Sequence, residues 1–381
     1  IETVAVGKSR LNYPLIDGKV VGCPSHLLEP ERLQKIQYSE DFSQSYWTKS
    51  GSSVVSGFTS PKGDLSAFKL VEGTNTGVHY IYKTSVTVIA GKVTLSIRAK
   101  AGERNWIALR ETASATGRYF DLTNGVLGGV YGSAPDESTI KPLADGWYDI
   151  SITVTAPSTT VSLFIYMIDV DGGVTYTGDG TSEIYIFGAQ VEQGSYPTSY
   201  IPNYGIALGV TRSAETANGA GDASTFNDSE GVLMAEISAL EGASTLIYRF
   251  ITLSDGTASN KISIFFNQNG SLTWQLIGGL TVISRALSVA ITNNNKIAIR
   301  YNSTSAELYV NGILADTALN GMTFSGLSTL QFRNNDGAYN FYGNTKQLQY
   351  FDSALNDSDL ETITSWTSFT DLANGQTYSI K

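Results

Sequence analysis

Two histidines, His26 and His79, are the only imidazoles among 381 residues. Neither sits in a recognisable catalytic motif. The chain has no G-x-S-x-G elbow, no H-E-x-x-H zinc helix and no phosphate-cradling glycine loop ending in Lys-Ser/Thr. Glycoside hydrolysis asks for less, only two carboxylates about 5 to 9.5 Å apart across a cleft. Glu111 with Asp121 and Glu236 with Glu307 are the candidate pairs. Acidic side chains at outward strand positions equally serve solubility and blunt sheet edges. The expectation is a chain that is not an enzyme.

Sugar binding needs different groups: aromatic faces against pyranose C–H bonds, and guanidiniums, amides or carboxylates against hydroxyls. Alternation over 93–100 puts Val93, Leu95, Ile97 and Ala99 on one face, leaving Thr94, Ser96, Arg98 and Lys100 outward. Over 105–111, Ile107 and Leu109 face inward and Trp106, Ala108 and Arg110 outward. If these strands are neighbours, Arg98, Trp106 and Arg110, with Tyr119 and Asp121, build a stacking platform ringed by donors. The same residues without a ligand make a surface cation–π cluster worth about 0.5 to 2 kcal/mol.

A second candidate is the stretch 333–342, RNNDGAYNFY, which gathers Asn334, Asn335, Asp336 and Tyr339 into one turn. Its other reading is an Asn/Asp turn held by its own side chains, with Tyr339 or Tyr342 packed on the sheet. Aspartates on glycine turns also suit calcium, which takes oxygen ligands. Asp169, Asp171 and Asp179 flank such turns early in the chain, and Asp255 and Asp336 late. Asp171 and Asp179 are the candidate ligands, and calcium is assigned to neither half.

The elements that must position these groups are strands. Alternating runs at 67–71, 79–88, 92–100, 105–111, 118–123, 147–155, 160–170 and 183–191 are separated by turn signals. After about Ala217 come 231–239, 245–254, 260–268, 271–276, 288–292, 296–302, 306–310, 329–334 and 343–351. Turns at Asn267–Gly270 and Asn302–Ser305 predict hairpins. Short strands without helical crossovers predict an all-β chain of two tandem antiparallel β-sandwich (jelly-roll) domains. Only 16% of residues are charged, and the net charge of −10 argues against nucleic acid or an anionic membrane as partner. A single cysteine, Cys23, excludes a disulfide framework within the chain. No apolar run approaches the roughly 20 residues that span a bilayer as a helix.

Three segments stand in an order of their own: YSEDFSQSYW from Tyr38, DGWYDISITVT at 145–155 and GDGTSEIYIFGAQVEQG, continuing as SYPTSYIPN to Asn203. This series resembles the carbohydrate-binding-module-like jelly roll of phage tail and fibre proteins. The AELYVNGIL segment at 306–314, with LQYFDSALNDSDLETI at 348–363, resembles the concanavalin-like (laminin-G-like) lectin sandwich. A short helix is expected in the latter, capped by Asn356 or Ser358 with Asp357, Asp359 and Glu361 near its positive end. The opening residues, including LLEP-R at 27–32, resemble a lead-in that such proteins carry. Starting at Ile1, the chain is expected to be part of a longer polypeptide.

The resulting division is 1–37 lead-in, 38–203 first sandwich, 204–216 linker and 217–381 second sandwich. The resemblance implies a virion adhesin binding host-surface glycans, extracellular when free, mounted with other virion proteins and homo-oligomeric, a trimer being one such form. The rival readings are a structural spacer and the binding module of a secreted polysaccharide-degrading enzyme.

Overall fold

The computed structural model describes residues 10–13, 15–16, 19–20, 23–242, 247–319 and 321–366. Residues 1–9 of the expected lead-in, 245–246 of the expected 245–254 strand and the tail from 367 lie outside them. Two compact units form. The first holds Glu31–Ser213; the second holds Cys23–Pro30 and the chain from Ala214 onward.

In the first unit, two six-stranded antiparallel sheets face each other. One runs Val126–Val130, Thr116–Asp121, Trp106–Glu111, Thr160–Ile168, His79–Thr87, Thr48–Ser50. The other runs Glu137–Pro142, Trp147–Ala156, Gly91–Ala101, Glu183–Gln193, Ala67–Glu72, Ser52–Phe58. The period-2 pattern dictates the packing. Ile81, Ile107, Leu109, Phe120, Leu163 and Ile165 from the first sheet meet Leu95, Ile97, Ile150, Ile152 and Ile186 from the second in one core. Trp47 is part of it.

The second unit stacks a seven-stranded sheet on a six-stranded one, again antiparallel. Its core gathers Leu233, Ile237, Ile251, Ile262, Ile264, Trp274, Ile297, Ile299 and Leu308. The Asn267–Gly270 turn closes with Asn267 N–H to the Ser271 carbonyl at 2.7 Å, and the Asn302–Ser305 turn with Asn302 N–H to the Ser305 carbonyl at 3.0 Å. Between Ala306–Val310 and Ile313–Ala318, Asn311 (φ 53°) and Gly312 (φ 86°) make the two-residue turn that needs two positive φ angles. The helix spans Asp357–Thr364, with the Asn356 side chain accepting from Asp359 N–H and Leu360 fully buried.

Some elements depart from the sequence reading. Residues 288–292 are not a strand; Thr281–Leu287 takes the edge position instead, while Ile291 still packs inward. Edge strands Ser52–Phe58, Val126–Val130 and Glu137–Pro142 escaped notice because Ser, Gly and Thr dilute their alternation. Ser25–Leu28, read as lead-in, pairs with Gly343–Thr345 of the second unit, and Leu28 joins its core. Val210–Arg212, read as linker, pairs with Arg32–Gln34 in the first unit.

Candidate functional site

Successive residues of a strand face opposite ways, so the strands that fill the first unit's core also present a second, outward row. On one sheet that row is aromatic. Tyr80 pairs in register with Tyr166 and Tyr82 with Phe164 across His79–Thr87 and Thr160–Ile168. The next strand sets Ala108 beside Tyr166 and Arg110 beside Phe164, and the following one sets Tyr119 opposite Ala108. Rings of Tyr82 and Phe164 stack at 4.5 Å and 8°, Tyr80 leans on Tyr166 at 4.8 Å, and Tyr119 stacks on Tyr131 at 5.3 Å and 13°. Trp106 belongs to the same cluster. Tyr80, Tyr82, Trp106, Tyr131 and Phe164 are half-buried, so each keeps part of its surface in contact with solvent.

Two small residues allow close packing at this face. Ala108 lies in its floor. A Cβ on Gly128 would come 2.5 Å from the Trp106 ring and 3.0 Å from Tyr119, so only glycine lets the edge strand pass this close. Arg110 lies over the Tyr131 ring, its guanidinium carbon 4.3 Å from the centroid. Burial holds the Tyr119 phenol above its ordinary range, helped by Tyr131 and Asp171 and opposed by Arg110. The Tyr166 phenol is raised further by burial.

Of the expected platform, Trp106, Arg110 and Tyr119 come together, whereas Arg98 does not. Arg98 belongs to the opposite sheet, and the exit segment folds back over it. Its guanidinium donates to the Gly188 carbonyl and the Asp149 carboxylate, both at 3.2 Å, and stands 4.5 Å from the Tyr200 ring centroid. Tyr196, Tyr200 and Ile201 are buried there, held by Glu192 accepting from Thr198 N–H and hydroxyl and by Ile201 N–H donating to Gln190. Asp121 likewise turns away, accepting from Thr123 and Asn124.

The remaining aromatics of the face, Tyr80, Tyr82, Tyr131, Phe164 and Tyr166, were missed. Four of them alternate in plain sight as Tyr80-Ile81-Tyr82 and Phe164-Ile165-Tyr166. Reading the outward parity of those strands would have found them.

In the second unit, Asn334, Asn335, Asp336 and Tyr339 do share one turn, organised largely by itself. Asn334 N–H donates to the Ala338 carbonyl and Ala338 N–H to Asp336, at 2.9 Å each. The Tyr339 ring meets Tyr248 edge-on at 5.2 Å, beside the stacked Phe250–Phe265 pair at 4.1 Å. Lys261 reaches the turn and donates to Asn334 at 3.2 Å and Asn335 at 3.3 Å. Its burial lowers the ammonium's pKa, partly offset by Asp336.

Carboxylates that could have done acid–base work are engaged elsewhere. Glu111, fully buried, accepts from the N–H groups of Ala113, Ser114 and Ser162. It pairs with Thr116 while Asp121 pairs with Trp106, which separates them by about 17 Å of strand. Glu236 lies opposite Lys296 and Glu307 opposite Arg300, four residues along one strand, or about 13 Å. Glu307 is bound to Arg300. Neither pair reaches glycosidase spacing.

His79 faces the Gly51 carbonyl at 2.6 Å through Nδ1 and is fully buried, a structural pin. His26 is half-buried, and burial lowers its pKa. Of the calcium candidates, Asp171 accepts from Gly129 N–H of the edge strand, and Asp179 accepts from Thr181 and Ser182 of its own turn. Among the described residues no three His, Cys, Asp or Glu side chains are grouped to hold a metal.

Comparison with known proteins bears on the second unit. Residues 236–361 match the family model described as the Concanavalin A-like lectin/glucanases superfamily. No curated protein was found to match the chain. Among solved structures, the CBM40 module of the Ruminococcus gnavus IT-sialidase is 16% identical, with 40% of this chain and 97% of that one covered and a TM-score of 0.33. Mouse laminin α1 domains LG4–5 are 10% identical over 81% of this chain and 96% of that one, at a TM-score of 0.25. A putative carbohydrate binding protein from Bacteroides ovatus is 9% identical over 74% of this chain and 77% of that one, at a TM-score of 0.29. Likenesses this low carry no argument about ligand. From the family match and the antiparallel sheets, the chain is an all-β protein whose second unit includes a concanavalin-like jelly-roll domain.

Proposed function

We propose that this chain is a non-catalytic, carbohydrate-binding virion protein of a phage, a tail fibre, spike or related adhesin that attaches to host-surface glycans. The observation that carries the reading is the outward aromatic face around Trp106, Tyr80, Tyr82, Tyr131 and Phe164. Stacked, half-buried rings beside a guanidinium supply what a pyranose needs, an apolar plane and a directional donor. The absence of catalysis rests on Glu111, Asp121, Glu236 and Glu307, each committed to its own neighbours or far from its partner. The virion setting, with other virion proteins and a homo-oligomeric mount, rests on the ordered resemblance of 38–203 alone.

A panel of bacterial surface polysaccharides, screened with monomeric protein, tests this. One or more should bind, and Trp106→Ala with Tyr82→Ala should weaken that binding about tenfold or more while the protein stays folded. Reproducible release of reducing ends would contradict the non-catalytic reading. Absence of binding across the panel would favour the spacer.

A further inference from the structure

Arg110 is the unusual member of the aromatic face. Arg98 meets Asp149 at 3.2 Å and Arg104 meets Glu72 at 2.7 Å, whereas Arg110 has no ion pair or hydrogen bond among the described residues. Its Nε is buried and without a partner. Its surroundings are phenols: Tyr131 lies beneath it, and its charge acts on Tyr119 and Tyr166, both neutral at physiological pH as phenols ordinarily are. Asp171, whose charge acts on Tyr119 of this face, is engaged with Gly129 N–H at 3.0 Å. Glu111, next in sequence to Arg110, faces the core side and is consumed by Ala113, Ser114 and Ser162.

A guanidinium carries five donors in a planar fork shaped to a carboxylate, and leaving a buried donor unmet is costly. In a chain of net charge −10, a cation placed among neutral rings with no anion of its own is set to receive one from outside.

We propose that the aromatic face selects an acidic sugar: a carboxylate-bearing residue such as a uronate, its carboxylate on Arg110 and its ring on the neighbouring aromatics. This rests on the carbohydrate-binding reading and specifies its ligand class. Arg110 then sets specificity and the rings supply most of the contact area. Charge-assisted bonding makes the acid bind at least about tenfold tighter than its neutral counterpart, and added salt weakens the acid only.

The test uses the full chain and uronate-containing oligosaccharides (oligogalacturonate, oligoalginate, hyaluronan fragments and bacterial capsular uronans), each paired with its carboxyl-reduced form. Calorimetry should show at least one acidic member binding, and its reduced partner about tenfold weaker or worse. Arg110→Gln should erase that difference, and Arg110→Lys should retain part of it. The wild-type comparison of native and reduced sugars stands whether or not either variant folds. Equal binding of native and reduced forms, or a preference that survives Arg110→Gln in folded protein, would overturn the acidic-sugar inference and leave glycan binding intact. Binding confined to neutral glycans would do the same, and failure of every glycan would overturn both.

Discussion

Arg98 and Trp106 occupy equivalent outward positions on their strands and meet different fates, because what covers a sheet face is decided by distant residues. Parity placed both side chains away from the core, and in that sense they were legible. The exit segment that buries Arg98 under Tyr200 could not be assigned to a sheet from spacing alone, since its glycines and prolines carry no period. Two consequences separate the residues. Arg98→Ala removes the partner of Asp149 and the bond to Gly188, and should destabilise the protein by about 1 to 3 kcal/mol in urea unfolding while leaving glycan affinity unchanged. Trp106→Ala should reverse the pattern. A loss of glycan binding in a fully folded Arg98→Ala variant would return Arg98 to the site.

Strands and turns respond to acid through carboxylates that hold them together. Glu72 is opposed by burial, yet hydrogen bonds from Arg104, Asp179 N–H and Tyr176, with the Arg104 charge, keep its pKa below the ordinary 4.5. Burial likewise opposes Asp121, and the bonds from Asn124 and Thr123 outweigh it. A depressed folded pKa means that the unfolded chain binds more protons, so these groups add stability above their ordinary values and lose it as pH falls through the folded ones. Glu192 has the opposite sign: burial raises it despite its bonds to Thr198, so its contribution is present below 4.5 and lost as pH rises. Thermal melts should therefore show stability falling below about pH 4.5, and Glu72→Gln should flatten that limb. An unchanged acid slope in the variant would show that the Arg104 contact contributes nothing. Element types followed from alternation in most strands, while the Ser- and Gly-rich edges needed the structure because edge positions bury little and tolerate almost any pattern.

At the scale of the molecule, two antiparallel sandwiches were readable from the turn spacing and the lack of helical crossovers, but the chain's path between them was not. Ser25–Leu28 has too few residues to show a period, yet it supplies a strand to the second unit, so that unit is discontinuous in sequence. The fragment 31–213 should melt cooperatively alone. A fragment from 214 onward should be less stable until a peptide of residues 10–30 is added, since it lacks the Leu28 contact, worth about 2 to 5 kcal/mol for a buried leucine. No stabilisation by the peptide would mean that this pairing is dispensable. The central claim, glycan recognition on the outward face of the first unit, is read most directly from the five tryptophan indole N–H signals in an NMR titration with a bound glycan. Trp106 lies on that face, whereas Trp47, Trp147 and Trp274 are buried. The predicted result is a saturable shift of the Trp106 signal with those of Trp47, Trp147 and Trp274 unmoved; saturable binding that leaves Trp106 unshifted would contradict it.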